Sequence, residues 1–371
     1  MNNSGVKFRL PALAALLAAA LLGGVFLAAG CGGQEKGAAT LTQPATTGTV
    51  PGYRRLQPDY YRGIDEPRPD AWQTLVDDVR SLKGDGFNTA AVQPPVLISD
   101  RGGQIQRVIL EGEEASAVST IDQLHQASLA VLLSPTTKSP DLKPQVDTSG
   151  AVLGRLDDDT LKWAQTAEEH QVELFAPLWD YNLVLGPAAD KWSANILPRI
   201  KEKYHGALAA RVVPDLGAPP PAGTPHDFES LNYKGYDYLM LDVFPQGDSF
   251  DMEVFDTYVD DLMNRAEAVV QRDNLRGVII EFGGWRAASG SETINGPLLG
   301  RDGQAALAAN LMPRLLPRTR GLFFNGWTLP GRGAKGYPVE DVLRQYFGGP
   351  GLPAPAPATR TSTSTQKAPV S

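Results

Sequence analysis

The sequence predicts an α/β protein built as one (β/α)8 barrel, and three observations carry the prediction. Eight short apolar runs, each closed by a turn residue or an acid, recur between residues 62 and 327. Helical patterns, with apolar residues three and four apart, stand between most of them. No linker-like break interrupts the block from residue 53 to 348, and roughly 300 residues suit a single barrel with its ring of helices. Near-continuous apolar strands are what a parallel sheet buried on both faces requires. An open doubly wound sheet is the rival arrangement. It usually opens on a glycine-rich first turn, and none follows the first run.

Taken in order, Arg62-Gly63-Ile64 forms the first strand and ends at Asp65. Asp70 is placed to cap a helix carrying Trp72, Leu75, Val76, Val79 and Leu82. Residues 87–92 form the second strand, ending at Gln93-Pro94-Pro95, and residues 100–114 have room for an extra hairpin. The third, 129–133, ends at Ser134-Pro135. Asp157-Asp158-Asp159-Thr160 reads as the start of a helix running to Glu169, since the spacing of a calcium loop is missing. The fourth strand, 172–178, ends at Trp179-Asp180, and a helix follows over 188–204. The fifth, 207–213, ends at Pro214-Asp215; Ala218-Pro219-Pro220-Pro221 after it reads as loop. The sixth, 238–241, ends at Asp242 and leads to a helix over 252–270. The seventh, 277–280, ends at Glu281, and a helix over 304–316 carries Pro313 as a kink or stop. The eighth, 322–324, ends at Asn325-Gly326-Trp327, and Pro338 suits the first turn of a closing helix.

The flanks are of other composition. Lys7 and Arg9 precede an uncharged stretch, 10–29, of secretory type. Leu27-Ala28-Ala29-Gly30-Cys31 resembles a bacterial lipobox, and Cys31 is the only cysteine. Residues 1–30 are therefore expected to be a lipoprotein signal peptide, with acylated Cys31 anchored in the lipid bilayer and the remainder facing outside the cytoplasm, extracellular or periplasmic. An uncleaved signal anchor would put the chain on the same side. Residues 31–52 read as a flexible tether, and 349–371, rich in Pro, Ala, Ser and Thr, as a disordered tail.

Composition excludes several functions. A net charge of −8 argues against a nucleic-acid partner, which needs a basic surface. One cysteine and four histidines leave no disulfide framework and little for a metal site, so neither metal nor organic cofactor is expected. Gly331-Arg332-Gly333-Ala334-Lys335-Gly336 satisfies a dinucleotide-binding spacing, but no acidic residue follows at the required distance, and it reads as loop.

In such barrels chemistry sits at the carboxyl ends of the strands. Those ends carry Asp65, Asp180, Asp215, Asp242 and Glu281, with Trp179, Trp285 and Trp327 close by. Paired carboxylates are what glycoside cleavage needs: one protonates the leaving oxygen, the other attacks or activates water. Any one of the aspartates can equally be a helix cap or an acceptor for loop amides. Glu281 stands apart, because it directly follows three apolar β-formers and a buried glutamate is costly unless paired. Gly283 and Gly284 after it would let a substrate approach the backbone.

The order of segments resembles the clan of retaining glycosidases on (β/α)8 barrels, and within it glycoside hydrolase family 113, the β-mannanase-like group. The likeness is carried by Leu161-Lys162-Trp163-Ala164 leading to Gln171-Val172-Glu173-Leu174-Phe175, and by Trp192 through Tyr204-His205-Gly206-Ala207-Leu208. Further matches are the run from Tyr236 to Pro245, Val278-Ile279-Ile280-Glu281-Phe282-Gly283, and the segment from Gly321 to Trp327. The resemblance implies Glu281 as nucleophile and Asp180 as acid/base. Asp65, Trp179, Asn182, Asp242, Trp285 and Trp327 would position sugars. Where that family has a glutamate, this chain has Leu178-Trp179-Asp180. The shorter side chain widens the gap between the carboxyls and leaves retention, inversion and loss of activity open. The expected function is a membrane-tethered hydrolase of an extracellular or envelope polysaccharide. The alternatives are a carbohydrate-binding barrel without turnover and a structural envelope protein.

Overall fold

Eight parallel strands close into a barrel in chain order: β1 (Tyr61–Asp65), β2 (Thr89–Val92), β3 (Ala130–Leu133), β4 (Leu174–Phe175), β5 (Ala207–Val212), β6 (Tyr238–Val243), β7 (Gly277–Gly283) and β8 (Gly321–Asn325), which pairs back onto β1. This computed structural model describes residues 53–96, 98–100, 105–107, 112–137, 150–214, 228–244, 250–283, 285 and 298–348. The expected signal peptide, Cys31, tether and tail lie outside the described residues, as do Asp215, Ala218-Pro219-Pro220-Pro221 and Gly284. All eight strands stand where the apolar runs place them, although β4 contracts to two residues.

The helices are α1 (Trp72–Asp77), α2 (Val79–Gly84), α3 (Glu113–Gln126), α4 (Gly150–Glu169), α5 (Tyr181–Leu185), α6 (Ala189–Lys201), α7 (Met252–Asp273), α8 (Gly300–Leu315) and α9 (Pro338–Gly348). Three details correct the sequence reading. The segment after β1 is broken at Asp78 into α1 and α2, and Asp70 caps neither. It lies inside a tight turn, Pro69–Ala71, which Pro69 starts. Residues 157–160 are not a helix start, because α4 begins at Gly150. There Asp157 accepts from the Trp192 indole at 2.9 Å and pairs with Arg199 at 2.6 Å, tying α4 to α6. Pro313 stays within α8, which ends two residues later in a tight turn. An extra hairpin exists but starts before the expected bounds, Ile98–Asp100 running antiparallel to Ile105–Arg107. Between β5 and β6 the described residues hold only the turn Phe228–Ser230.

Alternation along the strands separates two cores. Tyr61, Ala91, Leu132, Leu174, Ala209, Met240, Ile279 and Phe323 fill the barrel interior. Ile64, Val131, Leu241, Ile280, Phe282 and Phe324 face outward, in the larger core that also holds the buried faces of the helices. Gly63 is dictated by this packing: a Cβ there would stand 2.1 Å from the Phe323 ring.

The floor, where the strands begin, is closed by Glu173. One carboxylate oxygen accepts from the Leu56 amide at 3.0 Å and from the Tyr53 hydroxyl. The other accepts from the Val131 amide at 2.8 Å and lies 3.1 Å from His125 Nε2. The Tyr53 ring stacks on His125 at 4.0 Å, and Arg55 donates to the Val172 carbonyl at 2.9 Å. The first described residues are thus clasped to the floor.

Candidate active site

The interior changes character one step above its apolar filling. Two residues beyond Gly63, Ala91, Leu132, Ala209, Met240, Ile279 and Phe323, the next inward positions are Asp65, Gln93, Ser134, Arg211, Asp242, Glu281 and Asn325. Because side chains on one face of a strand recur every second residue, these seven meet in one polar layer at the carboxyl ends.

Arg211 is its centre. The fully buried guanidinium stands 2.5 Å from Glu281 Oε2 and 3.4 Å from each of Asp65 Oδ2, Asp242 Oδ1 and Ser134 Oγ. Asn325 donates to Glu281 Oε1 at 2.6 Å, and Gln93 donates to Asp65. The Trp179 ring lies 5.6 Å from the guanidinium carbon. Asp180 arrives from the loop after β4. Its backbone is left-handed (φ 46°), a conformation an aspartate tolerates better than most residues, and this turn starts α5. Its carboxyl meets that of Asp242 within hydrogen-bonding reach.

The four acids, Asp65, Asp180, Asp242 and Glu281, are each at most 3% exposed. Fully ionised, they would leave the layer at −3 against the single guanidinium (4 − 1), so the cluster must retain protons. Burial pushes Asp65 up to about 6, with Arg211 pulling the other way. It raises Asp180 well above the usual carboxylate range, and the neighbouring Asp242 charge adds to the effect. It raises Glu281 likewise, opposed by Arg211 and the Asn325 amide. Within this cluster of described residues, four buried polar atoms are left without a partner: Asp65 Oδ1, Asp180 Oδ1, Asp242 Oδ2 and Trp179 Nε1. Among the described residues no cluster of His, Cys, Asp and Glu is arranged to hold a metal ion.

The structure therefore brings Asp65, Trp179, Asp180, Asp242 and Glu281 together. The remaining expected sugar contacts lie elsewhere. Asn182 spends its side-chain amide on the backbone of Val213, donating at 2.8 Å and accepting at 3.0 Å, and so fixes the chain after β5. Trp285 packs against the outward rings of Phe282 and Phe324. Trp327 is fully buried in the outer core, and its indole donates to Asp78 at 2.8 Å. Neither indole offers a face to the polar layer. Gly283 serves packing rather than a substrate: at φ 101°, a Cβ would lie 2.7 Å from the Phe324 ring. The glycine-rich stretch 331–336 is loop, as expected.

Sequence reasoning missed Arg211, Gln93, Ser134 and Asn325 as members of the site. A signal for Arg211 existed. It is the one charged residue in the apolar run 207–213, and a buried guanidinium requires acids around it.

No family model and no curated protein matches the chain. Solved structures do. A glycoside hydrolase family 113 β-1,4-mannanase superimposes with a TM-score of 0.60 at 13% identity, over 79% of this chain and 100% of that one. The chain has the barrel of that mannanase. The family 113 β-mannanase of Alicyclobacillus acidocaldarius gives a TM-score of 0.58 at 18% identity, over 78% and 97%. A β-glucuronidase from Ruminococcus gnavus gives 0.54 at 12% identity, over 78% of this chain and 50% of that one. At such identities the likeness is one of fold.

Proposed function

We propose that the chain is a glycoside hydrolase, tethered through acylated Cys31 and acting on a β-linked polysaccharide outside the cytoplasm. A single observation carries the reading. Glu281 from β7 and Asp180 from the loop after β4, 101 positions apart in the chain (281 − 180), enter one arginine-centred carboxyl cluster at the carboxyl end of a (β/α)8 barrel. Solved barrels of the same shape include β-1,4-mannanases, which supports the choice of bond.

The chemistry is double displacement. A Glu281 oxygen attacks the anomeric carbon as the glycosidic C–O bond breaks, and Asp180 gives its proton to the departing oxygen. Asp180 then takes a proton from water, whose oxygen attacks the same carbon and releases Glu281. Burial suits Asp180 to the acid role, because it keeps the carboxyl protonated above the usual range. The nucleophile must be ionised. Arg211 at 2.5 Å and Asn325 at 2.6 Å stabilise that charge against burial, and each bonded oxygen keeps a second lone pair for attack. Activity is accordingly expected to rise with pH through a Glu281 titration displaced upward from the ordinary carboxylate range, and to fall again as Asp180 loses its proton.

The alternative is a carbohydrate-binding barrel without turnover. It is favoured by the engagement of both Glu281 oxygens and by the contact of Asp180 with Asp242. Release of reducing ends from a panel of β-linked glycans separates the two. The hydrolase reading expects release by the wild-type chain and only background in Glu281→Gln. Release that survives the substitution, or none from any glycan, overturns it.

A further inference from the structure

The polar layer carries more acid than its own cation can balance, and the surplus has an orientation. Among the described residues Arg211 is the cation that pairs with these acids, and its three nitrogens are already committed to Glu281, Asp65, Asp242 and Ser134. Among the described residues of the layer, a sugar carboxylate would find no uncommitted positive group and would face four acids. Three of those acids, Asp65, Asp180 and Asp242, each hold one buried oxygen with no donor. Each oxygen is an acceptor once its carboxyl is ionised, and a cluster that otherwise retains protons to offset its charge can exchange them for a bound cation. A sugar hydroxyl brings one donor and lone pairs of its own, whereas an ammonium brings three donors, no acceptor and the missing charge. Charge-assisted hydrogen bonds of that kind are the stronger ones.

We infer that the mouth selects a glycan carrying free ammonium groups, a polymer of hexosamine without its N-acetyl substituents, and refuses polyuronates. The inference rests on the hydrolase reading of the same site but concerns what is bound, not whether it is cut. An ammonium seated among the orphaned oxygens would draw the surrounding carboxyls into their ionised form, so binding expels protons to solvent. Trp179, its ring 5.6 Å from the Arg211 guanidinium carbon, adds a buried indole N–H without a partner that can donate to a sugar oxygen.

The test is equilibrium binding to the full-length chain by titration calorimetry. The probes are four hexamers: β-1,4-linked glucosamine, its N-acetylated counterpart, β-1,4-mannose, and a polyuronate. The glucosamine hexamer is expected to bind about tenfold or more tightly than the acetylated and manno forms, with the uronate weakest. Its affinity should fall with added salt, and its heat should vary with the ionisation enthalpy of the buffer, reporting proton release. In Asp242→Asn the preference for the amine should fall about tenfold; the salt and buffer dependences need no variant. Equal or tighter binding of the acetylated, manno or uronate hexamer overturns the inference, as does binding of the amine with no proton release. Parallel reducing-end assays keep the two readings apart. A wild-type chain that cuts mannan but ignores the amine sinks this inference and leaves the hydrolase. One that holds the amine selectively and cuts nothing supports this inference and sinks the hydrolase.

Discussion

Replacing Arg211 with methionine removes the cation around which the mouth is organised while keeping a side chain of similar reach. Glu281, Asp65 and Asp242 would lose their ion-pair partner inside a layer that is at most 3% exposed. Breaking a buried pair by deleting one partner costs about 3–5 kcal/mol. Here the loss must depend on pH. Burial already raises Asp65 and Glu281 above the ordinary carboxylate range against the pull of Arg211, and without Arg211 these two would hold their protons more firmly. The folded variant then binds more protons than its unfolded chain, so its stability falls as pH rises, by up to about 1.4 kcal/mol per pH unit for each acid affected. Urea unfolding of wild type and variant at pH 5 and pH 8 reads this directly. The deficit should approach the full figure at pH 8 and shrink at pH 5, where protonation substitutes for the guanidinium. In a barrel of this size it corresponds to roughly 5–8 °C in Tm. A deficit of the same size at both pH values, or one below about 1 kcal/mol at pH 8, would refute the charge argument and make Arg211 a packing residue.

Other expectations follow from the same layer and from the filling beneath it. Asp65, raised from 3.8 to about 6, favours the folded state when protonated; its contribution is complete below pH 4 and is lost as pH climbs through 6, about 3 kcal/mol in all. Asp65→Asn should therefore flatten the decline in stability between pH 4 and 7, which thermal unfolding across that range would show. Asp180→Asn mimics the protonated carboxyl, so stability should hold at acid pH and rise at alkaline pH while glycan hydrolysis disappears; a lower Tm at pH 9 would contradict the raised Asp180 titration. Gly63→Ala drives a methyl into the Phe323 ring, where the Cβ has only 2.1 Å, and should cost at least about 1–3 kcal/mol by chemical denaturation.

The barrel was legible because its strands are apolar on both faces, so each of the eight runs stood out against its turns. The helix breaks were not. Nothing in the spacing of Trp72, Leu75, Val76, Val79 and Leu82 announces the interruption at Asp78, since the apolar stripe continues across it. The early start of α4 was hidden by Gly150 and Gly154, poor helix formers that lie in its first turns. Within the site, the acids were readable as residues that end strands. Arg211 was marked only by its charge inside an apolar run; its partners were not readable, because they are on β1, β6 and β7 and only barrel closure makes them neighbours. The tryptophans illustrate the opposite error. Chain proximity to Glu281 and Asn325 suggested sugar platforms, but Trp285 follows the outward Phe282 and Phe324 surface, and Trp327 turns away at Gly326 (φ 94°) into the outer core. Nearness along a strand end says little about which side of the wall a ring occupies.

The clasp on Glu173 fixes a direction as well as a contact. Tyr53, Arg55 and Leu56 are bound beneath the strands, whereas the carboxyl layer sits above them. Any pull arriving from upstream of Tyr53 is delivered to the underside of the molecule. Were the chain anchored through Cys31 as proposed, its leash would join the barrel on the face opposite the carboxyl layer.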